Sequence, residues 1–115
     1  MEIRNIVVFE PWKIRMSVIG KRLKAARLGT GLSQEQLGLQ AGLEVESAST
    51  RMNRYERGVR VPSVELLERI GKVLDLPVAY FFAFDDDEAA LLTAYHRLTE
   101  DDKQAVLAFA MTKAT

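Results

Sequence analysis

The side chains with the clearest chemical potential are the basic ones between residues 17 and 62. That stretch carries eight lysines and arginines against four glutamates, whereas residues 63–115 carry five basic and ten acidic residues. An excess of positive charge suits a polyanionic ligand, and the acidic second part should face away from it. The basic residues of the first part are Lys21, Arg22, Lys24, Arg27, Arg51, Arg54, Arg57 and Arg60.

Catalytic and metal chemistry has few candidate residues in this chain. There is no cysteine and only one histidine, His96, which excludes disulfides, thiolate zinc sites and a multi-histidine site within one chain. The acidic run from Asp85 to Glu88 lacks the spaced loop and glycine of a calcium motif, and it favours the solvated start of a helix. No nucleophile–base–carboxylate set or phosphate loop occurs, so we predict a non-enzymatic protein without metal or cofactor.

Length and hydropathy predict one soluble domain. The chain has 115 residues, of which 48% are hydrophobic, and this is enough for a core. No apolar run reaches the roughly 18 residues of a membrane span. The apolar run from Ile6 to Phe9 is also too short for a secretory signal. We therefore expect a cytoplasmic protein without a membrane partner.

Apolar residues at helical spacing, bounded by capping residues, predict an all-α fold. In the first helix Ile19 and Leu23 share the apolar face, and Arg22 is expected to be more exposed. Ser33 and Gln36 form a capping box for the second helix. The predicted caps and end signals are Ser17, Gly29, Gly31, Ser33, Gly42, Gly58, Ser63, Asp75, Pro77 and Thr99.

The two ends of the chain are predicted to differ from this central part. Residues 1–15 have strand-like composition interrupted by Pro11, which predicts a short extended N-terminal arm. Residues 16–84 are expected to form the main domain, and residues 85–115 a C-terminal helical hairpin. The core-facing residues predicted for the last helix are Val106, Leu107, Phe109 and Ala110.

Several short motifs together resemble the helix-turn-helix of phage repressor and Cro-like (Xre-type) regulators. The resemblance runs from about Val18 to Phe82. It implies a five-helix domain that binds operator DNA, generally as a dimer. The motifs are Leu32-Ser33-Gln34-Glu35-Gln36-Leu37, Ala41-Gly42, Tyr55-Glu56-Arg57-Gly58, Pro62-Ser63, Ile70-Gly71-Lys72-Val73-Leu74, Pro77 and Phe81-Phe82.

The resemblance also implies which residues touch DNA. Arg54 can bind guanine through O6 and N7, and Asn53 can pair with adenine. Arg27 and Glu56 match a structural ion pair and are not expected to contact DNA. For the others the competing interpretation is a solvated polar face or an ordinary cap. The base contacts inferred by alignment with the family are Ala48, Ser49, Thr50, Asn53 and Arg54. The candidate phosphate contacts are Ser33 and Gln34, at a helix N-terminus whose donors suit phosphate, and the arginines Arg51, Arg57 and Arg60.

Residues 43–47 depart from the family pattern. They separate the turn glycine from the third helix by about four residues more than usual, which is close to one helical turn. Two structures fit this length: a third helix that begins near Val45, or a longer loop. Glu44 and Glu46 favour a helix N-terminus but would repel phosphate nearby.

Together these features predict a sequence-specific regulator of transcription that binds double-stranded DNA. We expect a repressor that acts as a homodimer on a palindromic operator. The alternative is a protein-interaction module, such as an antitoxin that neutralises a partner through its acidic and apolar C-terminal helices.

Overall fold

In the computed structural model, residues 10–115 are described, except for the side chains of Arg15 and Met16. The first nine residues of the predicted extended arm, which include the apolar run from Ile6 to Phe9, lie outside these residues. Residues 10–115 form six α-helices and one 3₁₀ helix, with no strand, which confirms the all-α fold class. The elements are α1 (Pro11–Thr30), α2 (Gln34–Gln40), α3 (Ala48–Glu56), α4 (Val64–Leu74), the 3₁₀ helix (Val78–Phe82), α5 (Asp86–His96) and α6 (Glu100–Ala114).

Helix α1 begins earlier than predicted, at Pro11 and not after Ser17. Proline suits a first helical turn because its φ is already near the helical value and its missing N–H has no partner there anyway. Residues 11–15, assigned to an extended arm on composition, therefore belong to α1. The predicted end holds, since Gly31 adopts φ 75° and its N–H donates to the Leu28 carbonyl.

Local capping bonds start α2 and α4 where the sequence predicts. The Ser33 hydroxyl accepts from the Gln36 N–H at 3.0 Å, and the Gln36 side chain accepts from the Ser33 N–H at 2.8 Å. The Ser63 hydroxyl accepts from the Leu66 N–H in the same way. Each such bond satisfies a backbone donor that the helix itself leaves free.

The connection between α2 and α3 is a longer loop, so the alternative of an early helix start is wrong. Gly42 ends α2 with φ 92°, a left-handed conformation that glycine adopts without steric cost. The Leu43 N–H then donates to the Gly38 carbonyl at 2.9 Å, and the Leu43 side chain is buried. Residues 45–47 form a turn before α3 begins at Ala48, and Glu44 and Glu46 lie exposed on this loop.

The core lies between α1, α2, α3, α4 and the 3₁₀ helix. Its largest fully buried side chains come from all five elements, so burial holds the first four helices around one apolar centre. These side chains are Ile19, Leu23, Leu37, Met52, Leu66, Leu67, Ile70 and Phe81.

Two glycines let α3 approach its neighbours closely. A Cβ at Gly20 of α1 would lie 2.6 Å from the Glu56 carbonyl oxygen and 2.7 Å from that of Tyr55. A Cβ at Gly38 of α2 would lie 3.1 Å from the Cβ of Ala48. The absence of side chains at these positions thus sets how closely α3 is held against α1 and α2.

Arg22 is buried, contrary to the expectation that it is exposed, with only 6% of its surface accessible. Its guanidinium donates to the backbone carbonyls of Ala83 and Phe84 at 2.9 and 3.2 Å. A third bond, of 2.8 Å, goes to a carboxylate oxygen of Asp86. Arg22 therefore ties α1 to the segment that leads into α5.

Helix α6 does not pack on the core, so its predicted core face is wrong. All of Glu100–Ala114 is described, and none of these residues is buried. Leu107 and Phe109 are 44% and 66% exposed. Helix α5 does contribute, because Ala89 is buried and Leu92 packs against the core. Within the described part of the chain, no helix combines the length and apolar character needed to span a membrane.

Candidate nucleic-acid interface

Helix α3 has one buried and one open face. Met52 and Tyr55 point into the core, whereas Ser49, Thr50 and Arg54 are exposed. Asn53 is half-buried beside them. Apolar residues at helical spacing fix the rotation of α3, so its short polar side chains and Arg54 share the outer face.

Ala48 does not belong to this outer face. Its side chain is fully buried, and it lies where α3 meets Gly38 of α2. A methyl group enclosed in this way cannot reach a base edge. The base contact inferred for Ala48 is therefore corrected to a packing role, which is consistent with its position one turn before the buried Met52.

Three arginines meet at the C-terminal end of α3. The chain folds back there, because the Val59 and Arg60 N–H groups both donate to the Arg54 carbonyl, at 2.9 and 3.4 Å. Arg51, Arg54 and Arg60 then line one cleft of about 300 Å³ with Tyr55 and Val61. The concentration of positive charge makes this cleft suitable for phosphate.

Within this cleft Arg51 is held along its own helix. Its guanidinium donates twice to the Tyr55 hydroxyl, at 2.8 and 3.2 Å, and lies over the Tyr55 ring. These contacts use part of the guanidinium fork and restrict its reach. Arg54 and Arg60, the other arginines of this cleft, are exposed.

Arg57 lies apart from the other three arginines. It lines a second, polar cleft of about 350 Å³ that also includes Trp12, Lys13 and Ser17 of α1. The N-terminal turns of α1 therefore stand next to the segment that follows α3. Sequence reasoning missed this neighbourhood because it assigned residues 11–15 to an arm.

Arg27 and Glu56 form an ion pair between α1 and α3. Arg27 donates to both carboxylate oxygens of Glu56, at 2.6 and 2.9 Å, and the two side chains are 12% and 2% exposed. The hydrogen bond to Glu56 raises the pKa of Arg27 above its already high ordinary value, although burial opposes this. Arg27 also donates to the Leu32 carbonyl at 3.0 Å, which joins the α1–α2 connection to the pair.

The start of α2 lies beside this ion pair. The Gln34 side-chain amide donates to Glu56 at 3.3 Å, so its own backbone N–H, in the first turn of α2, is the group left to face a ligand. The Ser33 hydroxyl accepts the capping bond, and its hydrogen stays free to donate. Both residues can therefore have a structural role and still offer a donor.

Residues 18–80 match the family model described as a helix-turn-helix domain, more than half of the chain. The chain belongs to the helix-turn-helix family. The solved structure of the transcriptional regulator BswR is similar to it with a TM-score of 0.73 and 40% sequence identity, over 81% of this chain and 92% of that one. These matches confirm the resemblance to Xre-type regulators inferred from the motifs.

Two further relatives share the helix-turn-helix region. Uncharacterized HTH-type transcriptional regulators of Sinorhizobium medicae (strain WSM419) and Rhizobium meliloti (strain 1021) are each 31% identical over 64 residues. That match covers 56% of this chain and 43% of each relative. The chain thus spans less than half the length of these two relatives.

Other residues that hold the helix-turn-helix in place were missed on the sequence. Arg69 of α4 donates to the Ala41 carbonyl at 2.7 Å and so satisfies the end of α2. Arg22 shares the spacing of Ile19 and Leu23, which places its stem on the core face of α1 and could have indicated burial. Among the residues that the structure describes, no three His, Asp or Glu side chains cluster to hold a metal ion.

Proposed function

We propose that this chain is a transcriptional regulator that binds a palindromic site in double-stranded DNA as a homodimer and represses by occupying the operator. The observation that carries the proposal is the open face of α3, with its inner face fixed in the core and an arginine cleft at its end. An exposed helix of this kind can enter the major groove, and flanking arginines can hold the backbone. The relatives named as transcriptional regulators support a regulatory role.

The proposed DNA-contacting residues fall into two groups, those that contact bases and those that contact phosphates. Arg54 and Asn53, with Ser49 and Thr50, are proposed to read bases from the outer face of α3. Phosphate contacts are assigned to the other arginines of the two clefts and to the start of α2. The proposed phosphate residues are Ser33, Gln34, Arg51, Arg57 and Arg60.

Selection of bound sequences from a random duplex pool, followed by titration at several salt concentrations, tests this proposal. Enrichment of a two-fold symmetric sequence is expected. Three phosphate-binding arginines in each of two protomers predict a slope of about −5 for the logarithm of the binding constant against the logarithm of salt concentration. A pool without enrichment, or an affinity independent of salt, would contradict the proposal.

A protein-interaction module, such as an antitoxin, is the second candidate function. The observation that favours it is α6, whose apolar residues are uncovered within the described chain. A stoichiometric partner that co-purifies with the wild-type chain, but not with a chain lacking residues 99–115, would support this candidate. DNA selection by the isolated chain distinguishes the two, because an antitoxin function alone requires no enriched sequence.

A further inference from the structure

Arg51 lies on the flank of α3, between the buried and the outer face of this helix. Successive residues of a helix are turned by about 100°, so Arg51 is about 40° from the buried Tyr55 and about 60° from the exposed Arg54. An α-helix with its side chains is about as wide as the major groove that admits it. Side chains on the flanks of such a helix therefore meet the phosphates of the groove walls, whereas those of the outer face meet the bases.

The guanidinium of Arg51 is held by a neutral group. Its Nε–H and one Nη–H donate to the Tyr55 hydroxyl at 3.2 and 2.8 Å, and its central carbon lies 5.8 Å from the centre of the Tyr55 ring. An arginine has five N–H donors, so three remain for a ligand. Among the acidic residues that the structure describes, none is paired with Arg51. The hydroxyl thus fixes the direction of the guanidinium and does not neutralise its charge.

Two arginines that hold the fold together are bound differently. Arg27 donates to both carboxylate oxygens of Glu56. Arg22 donates to Asp86 and to two backbone carbonyls. Their side chains are only 12% and 7% exposed, whereas Arg51 is exposed. A carboxylate partner would compete with phosphate for the guanidinium, and a hydroxyl partner competes much less because it carries no charge.

Tyr55 is itself fixed by the core. Only 7% of its surface is exposed, and it belongs to the cluster of buried apolar residues. It also lines the arginine cleft at the end of α3. Because a closely packed ring keeps one orientation, its hydroxyl holds one position beside the cleft. An arginine anchored to such a position loses less conformational freedom when it binds a phosphate.

We propose that Tyr55 is a positioning residue for DNA binding, whose hydroxyl and ring orient the Arg51 guanidinium toward a backbone phosphate of the groove wall. This inference rests on the proposed DNA binding and deepens it, since the sequence pattern assigned Tyr55 to the core alone. The orientation of Arg51 is already set in the free protein, so Tyr55 raises the affinity without touching DNA and without reading the sequence.

Tyr55→Phe removes the hydroxyl and keeps the buried ring. Its DNA affinity should fall about two- to tenfold per protomer on every duplex alike, which is the range for the ordering of one long side chain. The slope of affinity against salt should stay at its wild-type value, because Arg51 keeps its charge. Arg51→Ala should instead make that slope less steep by about two in the dimer. Tyr80→Phe is the matched control, because the Tyr80 hydroxyl donates to the Arg22 carbonyl, outside the cleft, and its loss should leave DNA affinity unchanged.

Two further variants separate positioning from packing. In a chain that already carries Arg51→Ala, Tyr55→Phe should cause no further loss of affinity, because a positioning residue acts only through its arginine. Arg51→Lys should lose affinity and keep the wild-type salt slope, because lysine retains the charge but has no planar group to bridge the hydroxyl and a phosphate. An equal loss from Tyr55→Phe with and without Arg51 would overturn the proposal.

Nuclear magnetic resonance of the free chain tests the contact without DNA. The Nε–H of Arg51 should exchange slowly with water in the wild type and in Tyr80→Phe, and rapidly in Tyr55→Phe. Unchanged exchange in Tyr55→Phe would overturn the positioning role. A wild-type chain that binds no duplex would contradict the proposed function, whereas a Tyr55→Phe variant that binds DNA as well as a binding wild type would contradict only the role of Tyr55.

Discussion

Arg54 and Arg60 line one cleft, but we propose that Arg54 contacts a base and Arg60 contacts a phosphate. Arg54 projects from the outer face of α3 and should read a base, so Arg54→Ala should cost about 1–3 kcal/mol on the preferred duplex and relax preference at one base pair. Arg60→Ala should weaken all sequences alike because a phosphate is present at every step. Titration of the preferred duplex and its single-base variants measures both effects. The exposed Lys72→Ala on α4 is the control, and equal losses for both arginine variants on every duplex would contradict the assignment.

We expect Glu56 to contribute to stability and not to DNA recognition, because its carboxylate is buried in an ion pair. Its side chain is 2% exposed and pairs with Arg27 through two hydrogen bonds. Glu56→Ala leaves a nearly buried guanidinium without its partner, a loss of about 3–5 kcal/mol for pairs of this kind. Urea denaturation should therefore show a much lower midpoint, whereas the exposed Glu65→Ala should not. A wild-type midpoint for Glu56→Ala would mean that the pair is dispensable.

The contact between helices α1 and α3 depends on a missing side chain. A Cβ at Gly20 would clash with backbone oxygens of Tyr55 and Glu56, which cannot rotate away. Gly20→Ala should thus destabilise the fold by about 1–3 kcal/mol through overpacking. Gly29, in the same helix, has nothing within 4 Å of an added Cβ. Gly29→Ala should instead stabilise the helix by about 0.5–1 kcal/mol. Denaturation of both variants measures the difference, and similar midpoints would contradict the close approach.

The connection between α1 and α5 depends on the guanidinium of Arg22. Lysine carries the same charge but cannot reach two carbonyls and a carboxylate with one planar group. In Arg22→Lys, the exchange rates of backbone amide hydrogens should rise more in α5 than in α2. The bonds from Arg22, together with Lys21, lower the pKa of the Asp86 carboxyl, although it is exposed. The stabilisation that the ionised Asp86 carboxylate provides is therefore fully present above the ordinary carboxyl pKa. It is lost as the pH falls through the lowered pKa. Exchange that is unchanged in Arg22→Lys would contradict this role.

At the scale of the whole molecule, the described chain divides into a core and a last helix, α6, that lies outside it. Helix α6 buries none of its own residues, whereas α5 places Ala89 in the core. We expect that a chain ending at residue 98 dimerises less, binds a full palindrome more weakly, and has the melting temperature that the full chain shows at concentrations where it is monomeric. Removal of residues 85–115 should have the same effects on dimerisation and also lower stability, because it deletes Ala89 and Asp86. Sedimentation and calorimetry of both chains check this. Equal dimerisation of the full and shortened chains would place the interface in the core or the N-terminal arm.

Most helix ends could be predicted because their signals are local. The Ser33–Gln36 capping box and the left-handed glycines at residues 31, 42 and 58 involve atoms only a few residues apart. Such bonds form within about one helical turn, so they depend only on residues that are close in the sequence. The start of α1 was missed because Pro11 fits both a break in a strand and the first turn of a helix.

The sequence by itself determined the helical class, the caps that start α2 and α4, and the basic outer residues of α3, but it left open whether residues 43–47 form a loop. Only the tertiary structure decided that Ala48 and Arg22 are buried and that α6 is not. The physical reason is that helical spacing defines which residues share a face, but burial depends on whether another element approaches that face. Gly20 and Gly38 let α3 come close, whereas no element of the described chain packs on α6 closely enough to bury any of its residues. These approaches join residues far apart in the sequence, which no local pattern specifies.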